Sequence, residues 1–365
     1  RDQPRSRGLG DVYKRQTTYN GNYGLNAQWT VYNGSKRLKT IEQEKLNNRV
    51  ADLDVATSEN DIEQSIAQVY IQILYAAESV KVNENTLQVS EAQRDRGKQL
   101  LDAGSIARSD YAQLEAQVST DRYQLVTAQA TLQDYKLQLK QLLELDGEQE
   151  MQVYLPALGD ENVLSPLPTK TDVFRSAVAL RPEIEASKLS VEASELGIGI
   201  AKSGYLPSVS LTAGIGTNHT SGSDFTFGEQ VKNGWNNSIG LSISVPIFNN
   251  RQTKSAVEKA KLQYQTSQLT LLDEQKTLYK TIEGLWLDAN SAQQRYAAAI
   301  EKLHSTQTSY ELVSEQFNAG MKNTVELLTE KNNLLQAQQE LLQSKYMAIL
   351  NTQLLKFYQG DKITL

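Results

Sequence analysis

Few residues of this 365-residue chain are placed to do covalent chemistry. There is no cysteine, which excludes a disulfide framework, a thiolate metal site and a thiol nucleophile. The two histidines, His219 and His304, fall in a polar stretch and inside a helical pattern, and both read as surface residues. Acidic residues abound, but none stands beside a histidine or in a metal-ligand cluster at a usable spacing. No catalytic residue, metal ligand or cofactor is therefore assigned. The charged residues that do stand out follow two glycines. Asp110 comes six positions after Gly104, and Lys322 and Glu326 come two and six positions after Gly320. Their chemistry is that of ion pairs and helix caps. Asn323 and Glu326 have the spacing of a capping box, with Asn323 as N-cap and Glu326 at N3.

The elements that must position these residues are two long helical hairpins. The chain is one unit written twice: displaced by 216 positions, Gly24-Leu25 falls on Gly240-Leu241, Lys45-Leu46 on Lys261-Leu262, and Ala103-Gly104 on Ala319-Gly320. Tyr32-Asn33 falls on Phe248-Asn249, and Ile66, Ala76 and Leu87 fall on Ile282, Ala292 and Leu303. Each copy reads strand, long helix, tight turn, second helix. The first long helix is expected from about Ser35 to Ala103, with no proline and with Gly97 its single glycine. At 1.5 Å per residue it would span about 100 Å. Ile62, Ile66, Val69 and Ile73 form a coiled-coil-like stripe on it. Gly104 ends it as a C′ residue. The second helix, about Ala107 to Leu145, carries Leu114, Val118, Leu125, Leu132 and Leu139 on a near-heptad stripe. The second copy runs from about Arg251 to Ala319 and from Thr324 to Tyr358. Between the copies, residues 146–181 read as a small non-coiled layer bearing Pro156, Pro166 and Pro168, and a helix follows from Pro182, at its N1 position.

The net charge of −6 gives no electrostatic reason to expect nucleic acid. No run of about 18 apolar residues occurs, so a membrane could be crossed only by a closed β-barrel. Three segments have the alternation for it. Val209, Leu211, Ala213 and Ile215 alternate with Ser, Thr and Gly. Leu241, Ile243, Val245 and Ile247 alternate with Ser242, Ser244, Pro246 and Phe248. Leu25, Ala27, Trp29 and Val31 alternate with Asn26, Gln28, Thr30 and Tyr32. Apolar outside and small polar inside is the pattern of a barrel with a wet lumen. Trp235, Trp29, Tyr23 and Tyr205 stand near strand ends, where an aromatic girdle would lie. Residues 218–237 read as a polar loop. Three strands cannot close a barrel in one chain, so several protomers would share one. Residues 1–16, basic and aperiodic, read as foreign sequence, with the native start then missing.

From about Thr17 to the C-terminus the chain resembles the TolC family of outer-membrane efflux proteins. The residues that carry the resemblance are Gly204-Tyr205-Leu206-Pro207-Ser208, Ser244-Val245-Pro246-Ile247-Phe248-Asn249-Asn250, and the tips Ala103 to Asp110 and Asn318 to Glu326. The resemblance implies a mostly α fold with membrane β-strands: a homotrimer whose α-helical tunnel is continuous with a shared twelve-strand barrel, four strands from each protomer. It implies these parts: 17–34 barrel strand, 35–145 periplasmic hairpin 1, 146–181 equatorial layer, 182–205 helix, 206–249 strand pair with loop, 250–358 periplasmic hairpin 2, and 359–365 tail. Pro207 and Pro246 would mark strand–helix corners, and Gly104, Ser105, Gly320 and Met321 the tip turns. Asp110, Lys322 and Phe317 would link neighbouring hairpins and hold the periplasmic end shut, and Glu326 would form a selectivity ring, weakened by Thr329 where the family often has a second acid. The implied function is a passive exit duct for efflux or type I secretion in the outer membrane. Its partners would be a periplasmic adaptor, an inner-membrane transporter and outer-membrane lipid. The alternative is a periplasmic coiled-coil adaptor or structural protein, which would carry one hairpin flanked by soluble β-domains.

Overall fold

The computed structural model describes residues 18–146, 151–156, 159 and 163–363. Residues 1–16, read above as foreign, lie outside these. The elements run β1 (Asn20–Asn33), α1 (Lys36–Asp102), α2 (Arg108–Leu142), α3 (Lys170–Leu180), α4 (Pro182–Lys202), β2 (Ser208–Thr220), α5 (Phe227–Asn233), β3 (Asn236–Ser244), α6 (Gln252–Asn318) and α7 (Thr324–Gln359). A 3₁₀ turn, Ser203–Tyr205, follows α4. The repeat is carried into the backbone: α1 and α6 are both 67 residues long, and the starts of β1 and β3, of α1 and α6, and of α2 and α7 are each 216 positions apart.

The chain divides into two compact units, described separately. The first comprises the chain up to Leu46 with Glu192–Thr266; the second comprises Asn47–Val191 with Ser267–Leu365. In the first, the three strands form one antiparallel sheet in the order β1-β2-β3. Its register aligns the apolar residues of all three strands. Trp29 pairs with Leu211 and Leu211 with Leu241; Ala27 pairs with Ala213 and Ala213 with Ile239. The opposite face carries Gln28, Thr212 and Gly240 in one row and Asn26, Gly214 and Ser238 in the next. Because side chains alternate strictly along a strand, one register sorts both faces at once. Trp29, Ile239, Leu241 and Ile243 are exposed.

Three details differ from the sequence reading. The β1–β2 register shifts between Thr30 and Tyr32, so Val31 is the extra residue of a bulge and Tyr32 pairs with Val209. Tyr32 therefore shares the apolar face instead of opposing it, because one inserted residue reverses the alternation. β3 ends at Ser244, two residues before Pro246, which has no N–H for a ladder; Val245 and Ile247 lie outside the sheet. The expected loop 218–237 also holds structure. β2 continues to Thr220, and α5 begins with a capping box from Thr226 and Glu229. Gln230 binds the Thr220 backbone on both sides, accepting from its N–H at 2.9 Å and donating to its carbonyl at 3.2 Å.

In the second unit the core is made of helix faces. Val173 and Ala177 of α3, Ile184 of α4, Leu278, Ile282 and Ala289 of α6, and Leu355 and Tyr358 of α7 bury one another. A second cluster joins Ile71 and Leu74 of α1 to Tyr346, Leu350 and Leu354 of α7. Of the stripe expected on α1, Ile73 is fully buried and Ile62 is exposed. Between Ala67 and Val80 the buried apolar residues are Ala67, Ile71, Ile73, Leu74, Ala76, Ala77 and Val80, more than a single stripe, because α1 meets both α7 and α2. Helix α3 was not expected within the layer at 146–181. Its N-cap is Thr169, whose side chain accepts from the Asp172 N–H. The segment before it is fastened to α6: Trp286 donates to the Pro168 carbonyl at 3.0 Å, and Gln293 donates to the carbonyls of Val163 and Ser165.

Candidate functional site

The charged residues singled out by spacing stand at the two hairpin tips. Each tip is a Schellman turn. At the first, Gly104 N–H donates to Leu101 carbonyl and Ser105 N–H to Leu100 carbonyl; at the second, Gly320 donates to Phe317 and Met321 to Gln316. Both glycines have φ of 73°, in the left-handed region that costs other residues about 1–2 kcal/mol.

The side chains differ. At the second tip Asn323 caps α7: its Oδ1 accepts from the Glu326 N–H at 2.9 Å, and Glu326 accepts from the Asn323 N–H at 3.1 Å. The other Glu326 oxygen takes the Lys322 ammonium at 2.6 Å. That ammonium first, and the Asn323 N–H second, hold the Glu326 carboxyl below the usual glutamate range. At the first tip the N-cap is Ala107, which has no side-chain oxygen; only the return half remains, with Ala107 N–H donating to Asp110 at 3.3 Å. Within one chain, then, Lys322 pairs with Glu326 and Asp110 with its own helix start. Phe317 is buried, and Met321 is exposed. Pro207 lies between the 3₁₀ turn and β2, and Pro246 between β3 and α6.

Behind the tips lies a cluster that the sequence reading missed. Lys331 of α7, Asp121 of α2 and Ser90 of α1 meet with relative side-chain exposures of 3% for the lysine and 1% for the aspartate. The Lys331 ammonium donates to both Asp121 and Ser90, and the Ser90 hydroxyl also donates to Asp121. Gln117 donates to the second Asp121 oxygen at 2.9 Å. Burial pushes the Lys331 ammonium down from the ordinary lysine range, against the pull of Asp121. A signal existed: Asp121 falls on the buried stripe Leu114, Val118, Asp121, and Lys331 on the stripe Thr324, Leu327, Lys331, Leu335. A charge in such a stripe needs a partner.

Among the described residues no group of three His, Asp or Glu side chains could hold a metal ion, and no helix is long and apolar enough to cross a membrane. The comparisons with known proteins agree on a family. The model of the outer membrane efflux protein family matches residues 4–144 and 173–360, which is most of the chain. The chain belongs to that family. The match begins inside the 1–16 segment. Relatives include the outer membrane protein TolC of Escherichia coli K12, 25% identical over 94% of this chain and 72% of that protein. The cation efflux system protein CusC of Escherichia coli O6:H1 is 26% identical over 92% of this chain and 71% of that protein. Among solved structures, the outer membrane protein VceC of Vibrio cholerae superposes with a TM-score of 0.77 at 16% identity, covering 95% of this chain and 88% of that one. The outer membrane channel CmeC of Campylobacter jejuni gives 0.76 at 18%, covering 96% and 79%. Proteins of the outer membrane efflux family are transport channels of the outer membrane and not enzymes.

Proposed function

We propose that the chain is one protomer of a trimeric exit duct, closed at its periplasmic tips, that accepts cargo from an inner-membrane transporter through a periplasmic adaptor. The observation that carries this reading is the sheet. Its apolar rows are aligned and exposed on one face, while the other face is Ser, Thr, Asn, Gln and Gly with no charge. An exposed apolar band backed by small polar residues suits lipid on one side and water on the other. The described strands leave both edges of the sheet, β1 and β3, for other strands to pair. Threefold sharing, with four strands per protomer as in the family, closes such a sheet into twelve strands. The full-length protein should extract only in detergent and migrate as a heat-sensitive trimer; a monomer by light scattering without detergent would sink the reading.

In this duct three Glu326 carboxylates, one per protomer, form the acidic ring that favours cations. At a separation of about 8 Å in water two such charges repel by about 0.5 kcal/mol, so all three stay ionised. Low-dielectric walls focus the field. The capping role is compatible, because a capping carboxylate keeps its charge. Glu326→Gln should abolish the cation preference read as a reversal potential in a salt gradient; a preserved preference puts the filter elsewhere. Asp110 and Lys322 act between neighbouring hairpins, the Lys322 ammonium having donors enough to keep Glu326 of its own chain as well, and Asp110→Ala should raise resting conductance in planar bilayers.

A further inference from the structure

Where the strands of the first unit meet their helices, the charge is of one sign. Lys36, Arg37 and Lys39 open α1, Lys202 closes α4, and Arg251 and Lys254 stand at the start of α6. Across residues 18–41, 196–223 and 237–257 these six are the only Lys or Arg residues, and not one Asp or Glu occurs. Carboxylates return at Glu42, Glu195 and Glu258, further along each helix; Glu258 already pairs with Lys261 at 2.9 Å. Lys36, Arg37, Lys202, Arg251 and Lys254 are exposed, and among the described residues none of the six cations pairs with a carboxylate. The three columns of strand and helix thus change from neutral to cationic to mixed charge at one level.

Large apolar side chains stand uncovered at that same level. Ile247 is 95% exposed and Phe248 83%, and both lie between β3 and α6, next to Arg251. Tyr205 and Leu206, between α4 and β2, are exposed as well, beside Lys202. A cleft of about 470 Å³ opens between the columns, lined by Asn33, Lys36, Ser203, Gly204, Gln252 and Thr253. Uncompensated ammonium and guanidinium groups cannot enter hydrocarbon, and isoleucine and phenylalanine gain nothing in water. Both are satisfied where acyl chains end and phosphodiester headgroups begin.

We propose that this belt binds anionic phospholipid of the leaflet on the helical side of the barrel. The headgroup phosphodiesters are taken by Lys36, Arg37, Lys202, Arg251 and Lys254, and the acyl chains lie against Ile247, Phe248 and the apolar strand rows. The proposal rests on the reading of those rows as lipid-facing. Each Lys or Arg near an anionic surface contributes about 1 kcal/mol, which corresponds to about a fivefold preference. Because the cations stand beside exposed apolar groups and not in a closed pocket, the ligand is a lipid and not a free anion.

The test starts from full-length protein in detergent. It is equilibrated with equimolar phosphatidylglycerol and phosphatidylcholine, and the retained lipids are counted after repurification. The expected result is an enrichment of phosphatidylglycerol of about fivefold or more, lost in 0.5 M sodium chloride through screening. It should also be lost in Lys36→Gln/Arg37→Gln/Lys202→Gln/Arg251→Gln/Lys254→Gln. Equal retention of the two lipids by the unsubstituted protein overturns the proposal. So does sodium phosphate displacing phosphatidylglycerol where sodium chloride of equal ionic strength does not, which would reveal a free-anion site. Should the fivefold variant fail to fold, the salt arm on the unsubstituted protein decides alone. Vesicle flotation separates this from the barrel reading. Protein that floats with pure phosphatidylcholine vesicles but shows no lipid preference loses the belt and keeps the barrel. Protein that floats with neither lipid loses both.

Discussion

At Gly104 and at Gly320 the chain turns through the same pair of hydrogen bonds with the same φ of 73°, and the residues that follow then diverge. The second tip has a complete capping box and a lysine on its glutamate; the first has an alanine N-cap and one return bond from Asp110. The divergence deepens behind the tips. The buried Ser90, Asp121 and Lys331 have as their counterparts, 216 positions away, Thr306, Ala337 and Glu115. Ala337 is fully buried as alanine. Duplication thus preserved what the backbone needs, while the side-chain chemistry is not repeated: Ser90 and Asp121 come from the first copy and Lys331 from the second. The lesson is that turn geometry identifies where a tip is, while only the non-repeated residues say what it does.

The largest effect should come from the asymmetric cluster. Asp121→Ala leaves the Lys331 ammonium buried without its counter-charge and should cost about 3–5 kcal/mol in thermal unfolding of the detergent-solubilised protein. Asp121→Ala/Lys331→Met makes the site as apolar as the Ala337 region and should recover most of that loss. If the double variant is no more stable than the single one, the cluster is not acting as an ion pair.

Next come the glycines. A Cβ at Gly104 or Gly320 would meet nothing within 4 Å, so Gly→Ala at either should cost the backbone term alone, about 1–2 kcal/mol. The two losses should be equal. Unequal losses would mean that one tip carries strain the shared geometry does not reveal.

Smaller again are the caps. Asn323→Ala should cost about 1 kcal/mol at the second tip, and Ala107→Asn should add about as much at the first, making the two starts alike. A neutral Ala107→Asn would show that the first tip cannot use a cap.

Most of the backbone was legible because period and punctuation are local. Heptad-like stripes in the first copy, the glycines at 104 and 320 and the 216-residue repeat place four helices, and alternation bounded by Gly-Tyr-Leu-Pro and Val-Pro-Ile-Phe places the sheet. What was not legible depends on tertiary partners. Helix α3 is short and earns its stability from Val173 and Ala177 packing on α6 and α7, which no local pattern announces. The Val31 bulge is a matter of register with β2. The Ser90–Asp121–Lys331 cluster spans 241 residues from end to end, and only the charge on an apolar stripe hinted at it. Glu326 was visible as a capping residue; its pairing with Lys322 needed the coordinates.

The finest test of the difference between tips is titration of Glu326. Its folded carboxyl titrates below the usual glutamate range because Lys322 and the Asn323 N–H favour the charged form. A group whose folded pKa is depressed adds stability that is present above its unfolded pKa, about 4.3, and is lost as pH falls through the folded value. The same titration should govern cation preference if the ring is where the proposal puts it. The reversal potential should therefore hold as pH drops through about 4.3 and collapse only below it. Lys322→Gln removes the main cause of the shift and leaves the capping box, so the midpoint should move up toward the ordinary glutamate value without reaching it, since Asn323 still donates. A midpoint that does not move on Lys322→Gln would mean that Lys322 leaves Glu326 in the assembled channel, as it would if it turned instead to Asp110 of a neighbouring hairpin. The pair seen within one chain would then be exchanged on assembly for the link between hairpins, and the first tip, not the second, would hold the lysine.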